Sequence, residues 1–205
     1  MFINIEGDAF NNNVYFSGSR RDKNLLEEIF TSLQKIQNRK HNYKGEDWVN
    51  DELRDSLTDK GFYVADQSRH GRSGSDENEN YGSGEVDLVI KNFEKGGTVI
   101  AMIEALELRS AGPKNESIPY HINKLLKRYD TAGNKENFII VYSRAKNFLP
   151  LWTKYKKFVD NHFNYFSEME EKEMDKSDIK VGINKYIRQG KELSLYHFFV
   201  NMYSE

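Results

Sequence analysis

Two spacings organise the apolar positions of this chain. Leu25, Leu26, Ile29, Phe30, Leu33 and Ile36 recur at helical spacing across residues 21 to 39. Val49, Leu53 and Leu57, with Ser56, repeat such a stripe in EDWVNDELRDSLTDKG, which ends at Gly61. Both segments predict amphipathic helices, the second closed by a glycine as helices commonly are. FYVADQS, VDLVI, TVIAMIEAL and NFIIVYS are short β-branched or aromatic runs that predict strands. TVIAMIEAL is apolar on both faces, which places it inside a sheet, antiparallel to VDLVI through the turn NFEKGG. IPYHINKLLKRYD predicts a helix with Ile118, Ile122, Leu125, Leu126 and Tyr129 inward. The aromatic-rich stretch from about 146 to 172 predicts a long helix, a break being placed near Tyr165. KVGINKYIRQGKELSLYHFFVNM predicts a hairpin turning at Gln189 and Gly190.

Two segments follow neither spacing closely. Residues 1 to 18 alternate loosely around an Asn-rich turn and read as a hairpin. Residues 69 to 84, RHGRSGSDENENYGSG, contain almost nothing that can be buried and read as a mobile loop between two strands. The resulting order of elements predicts an α/β fold with a mixed central β-sheet flanked by helices. An N-terminal hairpin and helix appendage over 1–45, used for packing or assembly, precedes a main α/β domain over 46–205 that ends in a C-terminal β-hairpin.

Composition changes this picture in three ways. A chain of 205 residues fits one domain with decorations, and its 13% of aromatic residues supplies the burial that ordering requires. Thirty basic against thirty-two acidic side chains leave a net charge of −2, so any contact with nucleic acid has to be local. The absence of cysteine excludes disulfides and thiolate metal sites. Apolar runs fall short of the ~20 residues a membrane span needs, and MFINIEGDAF lacks the pattern of a signal peptide. The expectation is a cytoplasmic protein without a membrane partner.

Chemistry concentrates on two acids. Asp87 opens the strand VDLVI, and Glu104 lies near the end of TVIAMIEAL in register with Met102 and Leu106 on the inward face. A buried carboxylate without a partner costs several kcal/mol, so Glu104 is paired, protonated or on a cation. An ion pair with Arg109 or Lys124 is one solution. Two carboxylates at the ends of paired strands also suit Mg²⁺ or Mn²⁺, a hard cation that takes oxygen ligands, activates water and stabilises charge on a phosphodiester.

The sequence GEVDLVI, TVIAMIEAL, helix, strand, preceded by helix and strand, resembles the core of the PD-(D/E)xK nuclease superfamily over residues 46 to about 143. The resemblance implies a restriction-endonuclease-like fold and metal-dependent hydrolysis of nucleic acid, DNA ahead of RNA, with Asp87 and Glu104 as metal ligands. It also implies an acid at the start of the first helix; Glu46 shares the stripe of Val49, Leu53 and Leu57 and is preferred over Asp47, Asp51 and Glu52. The family's lysine would stand at Leu106, so its role falls to His121, Lys124, Arg109, His70 or Arg72. Arg69, His70, Arg72, Ser73 and Arg109 form the candidate substrate-binding set. RHGRSG, GEVDLVI, IEALEL, HINKLLKRYDTAG and FIIVYSRAKNF also look like a nuclease-like module found at the ends of bacterial multidomain proteins, some linked to anti-phage defence. The expected partners are nucleic acid and a homodimer or larger defence complex, since a net charge of −2 leaves DNA affinity to be supplied by a partner, a dimer or another domain. The alternative is a nuclease-fold module without catalysis, serving protein interaction, assembly or nucleic-acid binding. His197, Trp152, Tyr155, Phe158, Phe163 and Phe166 read as sheet or core residues rather than a base-stacking platform.

Overall fold

The computed structural model describes residues 24–68, 86–92 and 96–204. The expected N-terminal hairpin and the polar loop with Arg69, His70, Arg72 and Ser73 lie outside the described residues.

Helix α1 (Leu25–Asn38) begins where the Asn24 side chain accepts a hydrogen bond from the Leu26 amide at 3.1 Å. Its apolar stripe enters the same core as that of α2 (Glu46–Asp59), where Val49, Leu53 and Leu57 are fully buried. Between the helices Ser56 donates to Ser32 at 2.9 Å, which satisfies the polar position on the α2 stripe. These helices cover one face of a seven-stranded sheet of order β1-β2-β3-β4-β7-β6-β5.

Strands β1 (Tyr63–Ser68), β2 (Val86–Asn92) and β3 (Thr98–Leu108) run antiparallel as neighbours. Strand β4 (Glu136–Ser143) lies parallel to β3 and is buried along its whole length. Strand β7 (Lys191–Asn201) is parallel to β4, β6 (Ile179–Arg188) runs antiparallel to β7, and β5 (Glu170–Lys172) closes the sheet antiparallel to β6. The β6–β7 turn falls at Gln189 and Gly190, both with positive φ (49° and 76°), as a two-residue turn with right-handed strand twist demands.

The opposite face is covered by α3 (Ser117–Asn123) and α4 (Phe148–His162). The helix predicted from IPYHINKLLKRYD buries the expected residues, but after α3 it widens into a π-helical turn, Lys124–Tyr129. The long helix expected over 146 to 172 is shorter: α4 stops at His162. The later aromatics do not continue the helical stripe. Phe163 and Phe166 stack at 5.1 Å, Phe166 bridges to Tyr186 of β6, and Asp160 turns the chain by accepting the Met169 amide at 2.9 Å. The segment then ends as the edge strand β5. No helix among the described residues is long and apolar enough to cross a membrane.

Candidate active site

The site forms where β2 leaves β3. Their pairing runs from Asn92 and Thr98 to Leu88 and Ile103, and beyond that point the start of β2 pairs with β1 alone. Amides two residues apart on a strand point to the same edge, so those of Ala105 and Glu107 face the edge that β2 has vacated. Carboxylates take both. Asp87 Oδ2 accepts from the Ala105 amide at 2.7 Å, and Glu46 Oε2, at the start of α2, accepts from the Glu107 amide at 3.1 Å. On its other edge the same strand is fully engaged with β4 from Ile103 to Leu108.

Glu104 enters from the α3 side. It stands between Met102 and Leu106, both in the apolar layer beneath α3 and α4, and is itself wholly buried. Its Oε1 receives Lys124 Nζ at 2.6 Å and contacts His121 Nδ1 at 2.9 Å. Its Oε2 is buried and makes no hydrogen bond. A buried carboxylate oxygen without a donor is costly, and this one lies beside a second acid. Burial, and then the charge of Glu104, push Asp87 up to about 7, against the opposing effect of the Ala105 amide. Burial likewise raises Glu46 above its ordinary value, with His121 partly offsetting it. Burial pulls Lys124 down, but the charge and hydrogen bond of Glu104, with Asp87 behind them, outweigh it and hold the ammonium above its usual value.

Of the sequence candidates, the structure brings Glu46, Asp87, Glu104, His121 and Lys124 together. Arg109 belongs to a neighbouring cluster: it pairs with Glu107 Oε1 at 3.0 Å rather than with Glu104. Leu106 is buried among apolar side chains, so a lysine there would have to be accommodated in the core. The ammonium that reaches Glu104 comes from Lys124, at the start of the π-helical turn.

Five residues at the site, Tyr43, Asn50, Glu107, Tyr142 and Arg144, are not among the sequence candidates. Tyr43 donates to Glu107 Oε2 at 2.7 Å, and Arg144 lies over the Tyr43 ring at 5.3 Å. Burial tends to raise Glu107, but its bonds to Tyr43 and Arg109 hold it below the usual carboxylate value. Tyr142 donates to Asn50 at 3.2 Å, tying β4 to α2 behind the site. Only Glu107 left a trace in the chain, as the second acid of IEALEL.

Asp87 and Glu104 fit a divalent cation chemically. Lys124 serves only Oε1 of Glu104, so Glu104 Oε2 and the Asp87 carboxyl, raised first by burial and then by the charge of Glu104, are the oxygens a divalent ion could take. Among the described residues, however, no three His, Cys, Asp or Glu side chains are grouped closely enough to enclose an ion. The donor set is thus a pair that leaves the remaining positions to water, as Mg²⁺ commonly requires. No family model, curated protein or solved structure matches the chain, so the chemistry of the site rests on its own residues.

Proposed function

We propose that the chain has a restriction-endonuclease-like core and hydrolyses phosphodiester bonds, in DNA in preference to RNA, with Asp87 and Glu104 holding Mg²⁺ or Mn²⁺. The observation that carries this reading is the notch between β2 and β3, where acids from α2, β2 and β3 meet and Glu104 Oε2 is buried without a partner. The succession α2, β1, β2, β3, α3, β4, with β3 and β4 parallel, supports the fold part of the proposal.

When bound, the ion supplies charge stabilisation at the phosphoryl oxygens and a lowered pKa for the attacking water. The chain's own groups position and discharge the reaction. Lys124, kept protonated by Glu104, cannot serve as a base; it offers a fixed positive charge to the phosphoryl oxygens, the role the family gives to a lysine at position 106. Glu46, raised by burial, accepts the proton of the attacking water. As the water oxygen bonds to phosphorus, the bridging P–O bond breaks, and the departing oxygen takes a proton from solvent water, while His121 and Lys124 together position Glu104.

Supercoiled and linear DNA, with RNA in parallel, incubated with the full chain and Mn²⁺ test this reading. DNA cleavage is expected, abolished in Asp87→Ala and Glu104→Ala and lowered about 10²–10³-fold in Lys124→Met. A Mn²⁺-dependent rise in Tm is expected in the wild type and lost in both alanine variants. Cleavage that survives both substitutions removes the assignment. A second reading, a nuclease-like fold without turnover in which Glu104, His121 and Lys124 form a structural ion cluster, is favoured by the absence, among the described residues, of a third donor grouped with the two acids. Absence of both cleavage and thermal shift decides for it.

A further inference from the structure

Strands β3 and β4 leave the sheet side by side at Leu108 and Ser143, and their exit loops form a groove with α4 of about 810 Å³. Arg109, Lys146, Lys154 and Lys157 line it, and no Asp or Glu does.

Helical geometry accounts for the asymmetry. Leu151, Trp152, Tyr155 and Val159 form the buried stripe of α4, which leaves Lys154, Lys157 and Asn161 on the groove side. Lys156 faces away and is neutralised by Glu171 at 2.8 Å. Among the described residues no carboxylate pairs with Lys146, Lys154 or Lys157. Apolar side chains line the groove with these cations, Pro113, Pro150 and Phe158; Phe158, read from the sequence as core, is only half-buried, and its ring lies nearly parallel to that of His162 at 5.4 Å and 9°.

We infer that this groove binds single-stranded nucleic acid, its phosphates on the lysines and its bases on the apolar side chains. A duplex keeps its bases stacked inside and would leave those side chains unused, whereas unstacked bases gain contact with rings and apolar surface. Arg109 joins the groove to the notch, since it bonds Glu107, whose amide Glu46 holds. A strand lying in the groove is thereby led toward Asp87 and Glu104. That direction rests on the nuclease reading; occupancy of the groove does not.

The two are separated by measuring binding without turnover. Fluorescein-labelled oligo-dT and a duplex of equal length are titrated with the full chain in EDTA and followed by anisotropy. Oligo-dT should bind more tightly than the duplex. Lys154→Glu/Lys157→Glu should weaken it about tenfold or more and reduce the salt slope by roughly 1.4, at ~0.7 per lost phosphate contact. Both lysines are exposed, so the fold tolerates the change. Lys135→Glu/Lys191→Glu, an equal charge change at the opposite end of the sheet, should bind like the wild type. No binding by the wild type, equal loss in both lysine pairs, tighter binding of the duplex, or displacement by poly-glutamate in preference to oligo-dT each overturns the inference. Groove-dependent binding without cleavage in Mn²⁺ supports it and rejects the nuclease reading. Cleavage indifferent to Lys154 and Lys157 does the reverse.

Discussion

Glu104 receives two donors on one oxygen and none on the other, an arrangement that fixes which of its neighbours matters for stability. Lys124 is the partner with a full charge, 2.6 Å away and with a side chain 11% exposed. Removing it leaves a buried carboxylate with His121 alone, and breaking a buried pair from one side costs about 3–5 kcal/mol. Lys124→Met is therefore expected to lower the urea midpoint sharply, and Glu104→Gln/Lys124→Met to recover most of the loss, because the charge that needed the lysine is gone. A midpoint unchanged by Lys124→Met would show that the contact is not maintained in solution. The cycle reads only the stabilising use of the lysine, because the double variant also lacks the Glu104 carboxylate proposed to hold the ion and is expected not to cleave; the lysine's part in cleavage is read from Lys124→Met alone.

Elements place these residues, and one glycine shows how closely they are fitted. Gly182 in β6 lies beneath α4 and β5's approach, where a Cβ would stand 2.8 Å from Met169 Cγ and 2.9 Å from Trp152 Cη2. Overpacking of this kind typically costs ~1–3 kcal/mol. Gly182→Ala is expected to reduce Tm accordingly, with Met169→Ala in the same chain relieving part of the loss because the thioether is the nearer obstacle. The period-two and helical patterns that reveal β2, β3, β4, α1 and α2 in the sequence are the same ones that fill the two apolar layers, which is why those elements were legible. The end of α4 was not, because Phe163 and Phe166 keep a helix-like spacing while packing against Tyr186 across a turn. Nor was the π-helical turn, which begins at Lys124 and so bears on where that side chain meets β3. Asp87, Glu104 and Glu46 stood out as acids in apolar company. Lys124 was only one of several cations, since spacing alone does not say which turn of a helix reaches the strand. The capping of the Ala105 and Glu107 amides depends on β2 parting from β3, an event without a residue signature.

Across the whole molecule the buried titratable groups oppose one another, and their sum gives stability a definite pH profile. His197 is fully buried in β7, held by Tyr155 through Nδ1 at 2.8 Å with Nε2 unpartnered, and burial pushes it down to about 3. Unfolded, it titrates near ~6.5. Below that pH the unfolded chain binds a proton the folded chain refuses, so stability falls as pH drops toward 3, by ~1.4 kcal/mol per pH unit. Burial raises Glu136 and Asp87, each to about 7. Unfolded carboxyls titrate near ~4, so from there to about 7 the folded chain retains protons that the unfolded chain releases, and stability falls as pH rises. Two carboxyls outweigh one histidine between ~4.5 and 6.5, and only the histidine acts below ~4. Without divalent ions the urea midpoint is therefore expected to peak near pH ~4–5 and to settle on a lower plateau above pH ~7. Glu136→Gln should flatten the descent toward neutral pH, and His197→Phe should lower the peak but remove its share of the acid-side fall. A midpoint that climbs steadily from pH 5 to 8 in EDTA would contradict the burial of both acids. Mn²⁺ provides the internal control: an ion held by ionised Asp87 and Glu104 stabilises the folded chain most where Asp87 has lost its proton, so it should raise the plateau at pH 8 more than the peak. Asp87→Asn should abolish that difference while leaving the Glu136 component of the profile in place.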